Sequence, residues 1–70
     1  MNKKLLQKFG QKVREHRMKS GISQERLGEL AGVHRTYIGM IERAEKNITL
    51  TNMEKIARAL GKKVNDLVDF

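Results

Sequence analysis

Residues 24–43 run QERLGELAGVHRTYIGMIER, a pattern of two short amphipathic helices on either side of a glycine. Leu27, Ala31, Val33, Ile38 and Ile41 recur at helical spacing and form one apolar seam. Gly32 stands where the chain must turn sharply, and its missing Cβ removes the clash that a left-handed turn imposes on other residues. The second helix opens with an arginine and is polar on its outer side, which suits it to lie against duplex DNA.

Working outward, a first helix is expected over residues 3–19, with Leu6, Phe9 and Val13 on one face and lysines around the rest; Gly21 stops it. Ser23 is placed to cap the second helix, which runs to residue 31 without a capping box, since Arg26 fills the third position. The third helix covers residues 35–43 with His34 as its cap, a weaker cap than serine that leaves room for a phosphate. Residues 44–48 read as a loop. Thr49 or Thr51, the latter in capping-box spacing with Glu54, starts a fourth helix whose stripe is Leu50, Met53, Ile56, Ala57 and Leu60. Gly61 ends it, and a fifth helix over residues 64–69 brings Val64, Leu67, Val68 and Phe70 to the end of the chain.

The expected fold is therefore all-α, a compact five-helix DNA-binding domain spanning residues 1–70 with no linker, repeat or low-complexity segment. So small a domain has limited interior. Val64, Leu67, Val68 and Phe70 are accordingly expected to form a homodimer interface, the alternative being that Leu67 and Val68 pack on the first and fourth helices while Phe70 frays.

Composition narrows the function classes. The chain has no cysteine, and His16 and His34 lack an acidic ligand cluster, so neither disulfide, metal nor other cofactor is expected. No cysteine nucleophile, glycine-rich phosphate loop or serine–histidine–acid set recommends an enzyme. Absence of proline and 39% hydrophobic residues at helical intervals suit a helical bundle. No apolar run reaches bilayer length and no secretory signal opens the chain, so a cytoplasmic protein that does not span a membrane is expected.

The net charge of +7 attracts polyanions, and its distribution is uneven: residues 1–20 hold seven basic side chains and one acid, while residues 21–43 are balanced. Taken alone, the basic first helix reads first as a solvated face, ahead of a membrane-surface element or a solubility device. The adjoining two-helix unit favours nucleic acid, and one tyrosine with two phenylalanines offers no stacking platform for single strands. A protein-interaction module is the alternative from a different class.

Residue chemistry assigns base readout to Arg35, Thr36, Tyr37, Gly39 and Met40. Arginine pairs with guanine O6 and N7, threonine offers a hydroxyl and a methyl, and glycine permits close approach. Met40 is either a thymine-methyl contact or a partly buried filler. Tyr37 combines an aromatic body with a hydroxyl for phosphate or base. Gln24, beside free N–H groups at a helix start, suits a phosphate oxygen. Glu25 and Glu29, one turn apart, form an acidic patch that reads equally as a solvated face.

The string S-Q-E-x-L-x-x-x-A-G-V-x-x-x-x-I-x-x-I-E-R over residues 23–43, continued by the L-x-x-M-x-x-I-A-x-A-L-G pattern of residues 50–61, resembles the phage repressor and Cro (XRE) family of helix-turn-helix regulators. Within it, HRTYIGMIERAEKNITL is similar to the controller proteins of restriction–modification systems, with Gly39 where serine is usual and Ala44 where glycine or asparagine is frequent.

The resemblance implies a sequence-specific transcription regulator that activates and represses, bound as a homodimer to symmetric operators upstream of its own and a linked endonuclease gene. A phage or plasmid repressor or an antitoxin-type autoregulator is the alternative within the family. The resemblance further implies DNA-backbone contacts from Ser23, Gln24, His34, Tyr37, Arg43, Lys46 and Asn47, with minor-groove entry an option for Lys46. It also implies a structural ion pair between Arg17 and Glu42, and contacts from Glu25 and Glu29 to the sigma subunit of RNA polymerase.

Overall fold

Among residues 2–69, which the computed structural model describes, there are five helices and no strands. They are α1 (Lys3–Lys19), α2 (Gln24–Ala31), α3 (Arg35–Glu42), α4 (Leu50–Ala59) and α5 (Val64–Leu67). Each long helix starts on a polar cap. Asn2 Oδ1 accepts from Leu5 N at 2.9 Å, Ser23 Oγ from Arg26 N at 2.9 Å, and His34 Nδ1 from Thr36 N at 3.0 Å. At α4 the cap is Thr49, whose Oγ1 accepts from Asn52 N at 3.1 Å, and Thr51 lies inside the helix. The capping-box expectation at Thr51 and Glu54 is thus corrected by one half-turn of chain.

The core is built from Phe9 and Val13 of α1, Leu27 of α2, Ile38 and Ile41 of α3, Ile56 of α4 and Leu67 of α5, all with side chains essentially removed from water. Ile48 joins it from the loop after α3. Leu50, expected in the α4 stripe, is 71% exposed, because the stripe runs past the edge of the core at the helix's first residue.

Two features of the C-terminal expectation change. The last helix stops at Leu67 rather than residue 69, and Leu67 is fully buried within this one chain. It serves the monomer core, and that removes it from the expected dimer contacts. Val64 and Val68 are half-buried against the core rim, and Phe70 lies outside the described residues.

Close backbone approach positions α3. A Cβ at Gly10 of α1 would stand 2.3 Å from the carbonyl oxygen of Ile41, so only glycine lets α1 cross α3 at this depth. Gly32 has φ +74° and turns α2 into α3, with Val33 N donating to Gly28 O at 2.9 Å.

Candidate nucleic-acid interface

α3 buries Ile38 and Ile41 and sets Thr36, Met40 and Arg43 on the opposite side with Gly39 covered between them, while Arg35, one turn before Ile38, is exposed at the flank and reaches Glu25 of α2. Arg35, Thr36 and Arg43 are exposed, and Met40 is half-buried, between the two roles expected of it. Of the sequence-expected readers, Thr36, Gly39 and Met40 thus share one face, with Arg35 at its edge and Tyr37 turned against the core and α4.

Behind that face lies a brace. Arg17 donates from Nε to Glu42 Oε2 at 2.7 Å and from Nη2 to Oε1 at 3.1 Å, while Nη1 donates to the carbonyl oxygen of Ile22 at 2.9 Å. Gln24 Nε2 adds a bond to the same Glu42 Oε1 at 3.1 Å. The Glu42 side chain is 3% exposed, so its charge is stabilised by these donors rather than by water. The expected ion pair is present, and it carries Gln24 with it: part of that amide's donor capacity serves the protein before any phosphate arrives.

Other expected contacts have intramolecular partners. Tyr37 Oη accepts from Asn52 Nδ2 of α4 at 3.1 Å, which anchors the ring and leaves the phenolic proton to donate. Asn52, a residue that sequence patterning did not single out, thereby orients Tyr37. His34 spends Nδ1 on its own helix cap. Glu25 Oε2 accepts from Arg35 Nη1 at 3.0 Å and Glu29 Oε1 from Arg26 Nη1 at 3.2 Å, so the acidic patch is a pair of arginine-bound carboxylates. Arg43 Nε meets Glu45 Oε2 at 3.0 Å, and that hydrogen bond and charge push the guanidinium's pKa up. Lys46 and Asn47 are exposed on the loop after α3 and line a shallow depression with Lys3, Leu6, Ala44 and Glu45. The N-terminus of α1 therefore brings its charge to the exit of α3. Ala44 holds φ +58°, the left-handed position that starts this loop.

Among the described residues no group of three or more histidine and acidic side chains is placed to hold a metal, and no helix is long and apolar enough to cross a membrane.

The helix-turn-helix family HTH_3 matches residues 13–67, which takes in the whole brace and all of α3. The chain belongs to this helix-turn-helix family. The regulator is 54% identical over 63 residues to the control protein C.BamHI of Bacillus amyloliquefaciens, covering 89% of this chain and 78% of that one. It is 45% identical over 60 residues to the control protein C.SmaI of Serratia marcescens, covering 86% and 71%. The crystal structure of the restriction–modification controller protein C.AhdI from Aeromonas hydrophila superposes with a TM-score of 0.87 at 45% identity, covering 89% of this chain and 94% of that one. This is a DNA-binding helix-turn-helix transcription regulator similar to restriction–modification controller proteins.

Proposed function

We propose that this regulator binds as a homodimer to two-fold symmetric operators upstream of its own gene and a linked restriction endonuclease gene, repressing or activating according to operator position. The observation that carries the reading is the brace of Arg17, Glu42 and Gln24, which fixes α3 while its outer face presents Arg35 and Thr36. Arg35 reads guanine and Thr36 an adjacent base, while Ser23, Gln24, Tyr37, Lys46 and Asn47 hold phosphates. Residues 1–70 act as one DNA-binding unit, and Val64, Val68 and Phe70 at the end of the chain supply the dimer contact.

Arg35 leaves Glu25 when it engages a base, since both partners are more than half exposed and the pair is weakly held. DNA binding thus frees one carboxylate of the Glu25 and Glu29 patch for a polymerase sigma subunit. Replacing both acids with alanine is expected to abolish transcriptional activation while operator affinity is retained; activation that survives the double change would refute the contact.

Footprinting of the DNA upstream of the regulator's own gene tests the reading as a whole. Wild type is expected to protect symmetric half-sites, and Arg35→Ala at the same salt concentration is expected to lose them while keeping its helical circular dichroism. Equal protection by both proteins would remove Arg35 from readout.

A further inference from the structure

Gly39, midway along α3, has no side chain of its own and is nonetheless buried, because another residue occupies the space above it. A Cβ at Gly39 would lie 3.0 Å from Nη1 and 3.5 Å from Nη2 of Arg43, and 3.4 Å from Oε1 of Gln24. The Arg43 side chain therefore folds back one turn and lays its guanidinium over the Gly39 backbone, beside the Gln24 amide. Glu45 holds it there through Nε, which leaves the edge formed by Nη1 and Nη2 to donate. The side chain is 55% exposed, which leaves the Nη1–Nη2 edge, resting toward Gly39, room to turn outward to a ligand.

We infer that Arg43 is a base-reading residue, its guanidinium filling the gap at Gly39 and taking guanine O6 and N7 at the centre of each half-site. This rests on the operator-binding reading above and sharpens it, because Arg43 was expected to meet only the backbone. Flanking loops supply phosphate contacts, whereas side chains standing over the outer face of a recognition helix reach base edges. Arg43 belongs to the exit of α3 by position and to its middle by geometry. The two parallel N–H groups of its free edge match the paired acceptors of guanine.

The test uses the full chain, its own upstream operator and a set of duplexes substituted at each base pair in turn, with affinity measured at one salt concentration and across a salt series. Arg43→Lys keeps the charge and loses the fork. It is expected to become indifferent to one base pair per half-site, a loss of about tenfold in discrimination there, with an unchanged salt slope. Gly39→Ala places a methyl where the guanidinium lies and is expected to weaken preference at that same base pair alone. Circular dichroism and melting establish that each variant is folded.

An Arg43→Lys protein with the wild-type preference at every base pair overturns the inference. So does an Arg43→Ala protein weakened equally on all sequences with a shallower salt slope, the signature of a phosphate contact. A wild-type protein that protects no operator at all would instead overturn the proposed function, and this inference with it.

Discussion

At Arg17 every guanidinium nitrogen has an acceptor, two of them on Glu42 and one on the Ile22 carbonyl. Removing the arginine leaves a carboxylate that is 3% exposed with only the Gln24 amide to balance it. Arg17→Met is therefore expected to cost about 3 kcal/mol in chemical denaturation, and Arg17→Met with Glu42→Leu to recover most of that, because the penalty is an unpaired buried charge. The pair was legible in the sequence through family resemblance alone, since nothing in the residues' spacing brings positions 17 and 42 together. Gln24 shows the same limit. A glutamine at a helix start reads as a phosphate ligand, and only the tertiary structure reveals that Glu42 takes one of its donors. Tyr37 and Asn52 give a further case on a smaller scale: Tyr37→Phe is expected to cost about 1 kcal/mol in thermal melting by leaving Asn52 Nδ2 without its acceptor.

Among the elements, local signals predict boundaries well where a cap is unambiguous and poorly where two candidates compete. Ser23 and Gly32 bracket α2 as expected from their chemistry alone. Thr49 and Thr51 both satisfy the cap preference, and burial of Met53 and Ile56 selects the first by setting the phase of α4. Thr49→Ala is expected to cost about 1 kcal/mol and Thr51→Ala a few tenths, and equal losses in urea titration would contradict the assignment. Gly10 was invisible to patterning because a glycine within a helix carries no positional signal until its neighbour is known. Its contact with the Ile41 carbonyl implies that Gly10→Ala forces α1 and α3 apart, with an expected loss of about 2–3 kcal/mol. Since α3 would then be displaced, operator affinity is expected to fall as well. Gly21→Ala, in open space at φ +70°, is expected to cost about 1 kcal/mol and to leave DNA binding intact.

For the whole molecule, size decides how α3 can be used on an operator. The fold measures 27 × 22 × 20 Å, shorter in every direction than the roughly 34 Å between half-sites one helical turn apart. One copy therefore reads one half-site, and a symmetric operator needs two copies held at fixed spacing. With α5 reduced to a single turn and Leu67 consumed by the monomer core, Val64 and Val68 are the C-terminal apolar groups left at the described surface. Val68→Asp places a charge in the proposed dimer contact and is expected to yield a folded monomer by analytical ultracentrifugation. It is also expected to lose protection of the paired site while the salt dependence per half-site remains. For the intact dimer, about 6–10 neutralised phosphates imply an affinity loss of ~10³-fold or more between about 50 and 200 mM salt. The monomer makes half those contacts, so its salt slope is expected to be half as steep; a Val68→Asp protein that keeps both the wild-type slope and paired protection would place the dimer contact elsewhere on the molecule.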